Sequence, residues 1–133
     1  MVENKDYFKR NAAGELFAGT HVLLDIIGIQ AGSLDDCDEM QVVFGNAVQA
    51  GGATLLHINL HKFQPNGVTG VAILSESHIS VHTWPEKQYA AFDIFMCGSS
   101  DPNLAVHSII NHYNPKMWHI KVVNRGEGML PND

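Results

Sequence analysis

The stretch "LSESHISVHTWPE", residues 74 to 86, decides how the chain is read. Ile79, Val81 and Thr83 alternate with His78, Ser80 and His82, the two-residue period of a β-strand. One face of that strand then carries an unusual density of reactive side chains. A strand over 78–84, a corner at Pro85–Lys87 and a partner over 89–97 predict an antiparallel hairpin. Its register sets Ser77 opposite Met96 or, one step away, Cys97. A serine, a histidine and a thiol from adjacent strands can therefore converge near one strand end, as nucleophilic chemistry requires. A buried thiol, a turn serine and a histidine on a wet sheet face remain the structural alternative. His78 and His82 stand roughly 13 Å apart along a strand, too far to ligate one metal, and His57 and His61 meet the same objection. No metal is expected.

Outward from the hairpin, the pattern predicts β-α-β-β-β-β-α-β. "THVLLDIIGI" (20–29) is an apolar, β-branched first strand. Met40, Val43, Phe44, Ala47 and Val48 recur at helical spacing after a cap at Ser33 or Asp35, and Gly51-Gly52 ends that helix. "TLLHINLHKF" (54–63) alternates cleanly, "QPNGVTG" is a turn, and "VTGVAILS" is the next strand. Asp101 caps a second helix with Pro102 in its first position, and "KMWHIKVVNR" closes the chain. The fold class is α+β, a two-layer sandwich with an antiparallel sheet and two helices on one face. Residues 1–133 suit one domain, with 1–18 as an N-terminal arm.

The balance of 8 basic against 14 acidic residues, a net charge of -6, contains no cationic cluster, so neither nucleic acid nor membrane is an expected partner. No apolar run reaches the roughly 18 residues of a membrane span, and the charged start is no secretory leader. Two cysteines, Cys37 and Cys97, are no disulfide framework, which points to the cytoplasm and leaves Cys97 a free thiol. Cys37, within the first helix, is read as packing.

"SESH", with His82 five residues after its second serine and "CG" twenty after it, resembles the bacterial and archaeal class of S-adenosylmethionine decarboxylase proenzyme. The similarity runs from "GTHVLLDI" through "GVTGVAILSESHISVHTWPEKQYAAFDIFMCG", about residues 19 to 98. That resemblance implies a self-processing, pyruvoyl-dependent enzyme. Ser77 would attack the Glu76 carbonyl, and an ester would then eliminate. The products would be a β chain of residues 1–76 and an α chain of 77–133 capped by a pyruvoyl group generated from Ser77. His82 matches the processing base. Thr69, in "VTG", stands where the family usually has a serine, and keeps the hydroxyl while restricting χ1. The pyruvoyl carbonyl would form a Schiff base with S-adenosylmethionine, and Cys97 matches the acid that returns a proton. Phe63 matches the aromatic that stacks on adenine and Glu86 the carboxylate on the ribose hydroxyls; Trp84 belongs to the pocket wall or the core. His57, His61, His107, His112 and His119 receive no role.

The family's small members are homodimers with sites near the subunit interface, which suits an exposed sheet face. The implied product is decarboxylated S-adenosylmethionine, the aminopropyl donor for spermidine. Decarboxylation of a basic amino acid (arginine or ornithine) and an unprocessed regulatory homologue are the competing readings.

Overall fold

The computed structural model describes residues 8–131. Along the chain come β1 (Lys9–Arg10), β2 (Leu16–Phe17), β3 (Gly19–Ile27), α1 (Ala31–Leu34), α2 (Cys37–Ala50), β4 (Leu55–Lys62) and β5 (Val68–Leu74). They are followed by β6 (Ser77–Trp84), β7 (Tyr89–Met96), α3 (Pro102–Tyr113) and β8 (Met117–Arg125). A sheet with the order β4-β5-β6-β7-β3-β8 is antiparallel at every pairing. The predicted strand and helix order is all present, and so is the α+β sandwich. β3 lies between β7 and β8, so the first strand of the sheet is flanked by two strands from the far end of the chain.

Alternation decides which face is covered. Val22, Leu24 and Ile26 on β3, Ile79 and Val81 on β6, and Phe92, Ile94 and Met96 on β7 turn inward and are buried. Met40, Val43, Phe44 and Ala47 of α2 meet them, with Val106, Ile109 and Ile110 of α3. Each such side chain contributes about 1.5–3 kcal/mol by leaving water. Gly70 makes room in this layer: a Cβ there would stand 2.1 Å from a Leu60 methyl. On the opposite face Thr69, Val71, Ile73, Ser80, His82 and Asp93 are half-buried or exposed, and no helix among the described residues covers them.

The helix ends differ from expectation at one point. α2 is capped by Asp36, which accepts from the Glu39 amide at 3.0 Å. The two predicted caps are engaged elsewhere. Asp35 accepts from the Gly67 amide at 2.7 Å and pairs with Lys62 at 3.2 Å, while the Ser33 hydroxyl donates to Glu39 at 2.6 Å. Between them α1 forms a separate four-residue turn of helix, so two long helices and one short one accompany the sheet. Asp101 does cap α3, accepting from the Asn103 amide at 2.9 Å, with Pro102 in the first turn.

Of the arm expected over 1–18, residues 1–7 lie outside the described residues. The remainder is structured: β1 and β2 pair as a small antiparallel ribbon, Phe17 is buried, and the Ala18 amide donates to the Arg125 carbonyl at 2.7 Å. Among the described residues no helix is long and apolar enough to cross a membrane.

Candidate active site

β5 and β6 are joined by two residues, Ser75 and Glu76, because Leu74 pairs directly with Ser77. Just past this short connection, at the start of β6, Ser77 has φ 147°. For a residue with a Cβ this conformation costs on the order of 1–3 kcal/mol, which the surroundings must hold in place. They do so from both sides. The Ser75 amide donates to the Thr54 carbonyl at 3.0 Å, and the Glu76 carboxylate accepts from the Thr54 amide at 2.9 Å and from its hydroxyl at 3.3 Å.

On the other side stands Cys97, just past the end of β7. The ladder pairs Ser77 with Met96, the first of the two registers the sequence allows. Cys97 then reaches the Glu76 carbonyl twice: its amide donates at 3.1 Å and its Sγ at 2.8 Å. Two donors on one carbonyl oxygen, beside a hydroxyl on the next residue, form the arrangement that stabilises an oxyanion when that carbonyl is attacked. The surroundings of the thiol favour its neutral form. Burial pushes its pKa up, and the Glu76 carboxylate pushes the same way; its backbone hydrogen bond and the Lys9 ammonium act in the opposite sense. Gly19 permits the close packing at this strand end, since a Cβ there would lie 2.6 Å from the Met96 carbonyl oxygen.

The histidine that meets Ser77 is His78, whose Nδ1 lies 3.1 Å from the Ser77 hydroxyl. Nothing in the alternation singled it out, although it is the adjacent residue. His82 is elsewhere. It pairs across the ladder with Thr69, and the Thr69 hydroxyl hydrogen-bonds its Nδ1. Five residues of strand separate it from Ser77, about 16 Å at 3.3 Å each.

Around His82 gather the other predicted binding residues. Trp84 meets its ring edge-on at 4.3 Å between centroids, and Phe63 lies at 5.8 Å. Phe63 and Trp84 are exposed, and Trp84 stacks on Tyr89 at 5.2 Å. Glu86 follows, exposed, in the Pro85–Lys87 turn, whose Pro85 is buried. A cavity of about 490 Å³ opens on this face, lined by His61, Thr69, Val71, Ser80, His82 and Asp93 among others. The predicted site residues thus form two groups, Glu76, Ser77 and Cys97 at one end of the sheet and Phe63, Thr69, His82, Trp84 and Glu86 toward the other. Thr54 completes the first group through contacts no local sequence pattern could signal.

Residues 20–126 match the family model described as S-adenosylmethionine decarboxylase. The S-adenosylmethionine decarboxylase proenzyme of Methanococcus maripaludis (strain S2) is 45% identical over 109 residues, covering 81% of this chain and 89% of that protein. Proenzyme 2 of Bacillus cereus (strain ATCC 14579) is 39% identical over 113 residues, covering 84% and 92%. Among solved structures, the adenosylmethionine decarboxylase from Aquifex aeolicus superposes with a TM-score of 0.77 at 36% identity, covering 86% of this chain and 94% of that one.

Proposed function

The chain belongs to the S-adenosylmethionine decarboxylase family, and from that premise we propose that it makes its own prosthetic group at Ser77 and works as a dimer. It is a decarboxylase of S-adenosylmethionine serving polyamine synthesis. The observation that carries the processing reading is the Glu76 carbonyl, gripped by both Cys97 donors next to a strained Ser77.

In that reading the Ser77 Oγ bonds to the Glu76 carbonyl carbon while its proton passes to the Ser77 nitrogen. The C–N bond then breaks, leaving Glu76 esterified to Oγ. Relief of the φ 147° backbone favours this step. Loss of the Ser77 Cα proton to a base expels the Glu76 carboxylate and leaves a dehydroalanine. Water converts its imine tautomer to a pyruvoyl group and releases ammonia. That group supplies a carbonyl that condenses with the substrate amine and draws off electrons as carbon dioxide leaves. Cys97, its pKa raised by burial and by Glu76, is the protonated acid suited to return a proton.

The base is His82 oriented by Thr69, and it acts across a subunit interface. Within one chain about 16 Å of strand separates it from Ser77, far beyond proton-transfer reach. The uncovered sheet face supports a face-to-face homodimer. With the two-fold axis near Ser80, midway along β6, the partner's His82 meets Ser77 and the reverse holds at the second site. Phe63, Trp84 and Glu86 travel with His82, so each adenosine pocket joins one subunit's aromatic cluster to the other's Ser77 and Cys97. Stacking on Phe63, aromatic faces near the sulfonium and Glu86 on the ribose hydroxyls favour S-adenosylmethionine over a bare basic amino acid. The two free thiols suit the cytoplasm.

Intact-mass measurement on denatured protein tests the processing reading. Two chains divided between Glu76 and Ser77, with carbon dioxide released from labelled S-adenosylmethionine, are expected; a single 14.6 kDa chain would sink it.

A further inference from the structure

Lys9 lies in β1, outside the segment that the family model matches. Its ammonium donates to the Gly98 carbonyl at 2.7 Å and to the Ser100 carbonyl at 2.8 Å. Both carbonyls belong to the short segment that leaves Cys97 and enters α3. The same segment is closed by the Ser100 hydroxyl, which donates to the Cys97 carbonyl at 2.6 Å, and is fixed beyond by the Asp101 amide on the Gly51 carbonyl at 2.9 Å. Ser100 is buried, so its carbonyl has little water to turn to.

We infer that Lys9 is a positioning residue for Cys97: it clamps residues 98–100 so that the Cys97 amide and thiol converge on the Glu76 carbonyl. This role rests on the processing reading above. Charge-assisted hydrogen bonds are roughly twice as strong as neutral ones, and two on one ammonium resist rotation of the loop. The requirement is strict, because donors displaced by more than about 0.5 Å lose their hold on a developing oxyanion. Lys9 also acts on the thiol through its charge. The charged groups acting on Cys97 are the Glu76 carboxylate from the β5–β6 turn, which opposes thiolate, and the Lys9 ammonium from β1, which favours it.

The test uses the full chain with Cys37→Ser, so that Cys97 is the single thiol. Lys9→Met and Lys9→Arg are compared with this parent for the rate of fragment appearance by mass. The same pair, built on uncut Ser77→Ala, is compared for the pH profile of Cys97 alkylation by iodoacetamide. Lys9→Met should slow processing roughly tenfold or more, as expected for lost charged hydrogen bonds, and move the alkylation profile to higher pH. Lys9→Arg should restore both. A Lys9→Met alkylation profile that overlays the parent's overturns the inference, whatever happens to the rate. Should the parent itself remain uncut, the processing reading fails, and the alkylation comparison still decides the role of Lys9.

Discussion

Mixing two crippled subunits distinguishes a base acting across the interface from one acting within a chain. Ser77→Ala removes the nucleophile and keeps His82; His82→Asn removes the base and keeps Ser77. Either homodimer should stay uncut, the second because losing a general base costs about 10²–10⁴ in rate. In a mixed dimer the His82→Asn chain faces an intact His82 from its partner, so its Glu76–Ser77 bond is cleaved. With equal co-expression and random pairing, about half of the His82→Asn chains should find such a partner and be cut. The geometry leaves no intermediate outcome. In one chain, bringing His82 the roughly 16 Å to Ser77 would mean stripping β6 from both neighbours in the middle of the sheet. The assay is mass spectrometry on differently tagged chains purified through both tags. Uncut His82→Asn chains in verified mixed dimers would refute the interface site.

Three further outcomes follow from contacts already described. Cys97→Ala keeps the amide donor on the Glu76 carbonyl and loses the thiol; it should slow cleavage by about 100- to 1,000-fold in single-turnover mass kinetics, and an unchanged rate would remove the thiol from the oxyanion site. Glu76→Gln in uncut Ser77→Ala protein takes away the carboxylate that raises the Cys97 pKa, so half-maximal alkylation should move to lower pH; a move upward would contradict the assigned sign. The Tyr89 phenol, pushed up to about 12 by donating to Asp25 at 2.5 Å and then by burial, gives stability that is whole below its ordinary value of 10.0 and fades as pH rises through 12. Tyr89→Phe should therefore lose about 1 kcal/mol in urea unfolding at pH 8, and the gap should narrow at high pH; a gap independent of pH would refute the hydrogen bond's contribution.

The fold was largely legible because the sheet needs only parity. Every residue of β7 alternates between covered and open faces as its side chains suggest, and Asp101-Pro102 announces α3 without tertiary help. Where contacts cross long stretches of chain, the pattern fell silent. Ser33 and Asp35 are both good caps by chemistry, yet the Ser33 hydroxyl goes to the Glu39 side chain six residues on, and Asp35 is drawn away by the distant Lys62 and Gly67. The site was legible as residue types and not as an assembly. Ser77 and Cys97 could be aligned on paper to within one register step, whereas the two-residue turn was not read, and the Thr54 anchor and the Lys9 clamp depend on residues 22 and about 90 positions away. The five-residue interval between Ser77 and His82 was in plain sight, and strand rise alone converts it into a distance.

If the backbone is cut at Ser77 as proposed, the position of β3 between β7 and β8 governs what becomes of the pieces. The fragment ending at Glu76 owns β3, β4 and β5, and the one starting at 77 owns β6, β7 and β8, so the pieces are interleaved like the fingers of two hands. Three ladders, β5 with β6, β7 with β3 and β3 with β8, join them, and neither piece retains a closed core. A cut molecule could not fall apart without unfolding, yet once unfolded it would have to recover by the meeting of two strangers, a second-order event. Folding would then precede cutting, and the native state would become a record of its own history that denaturation erases.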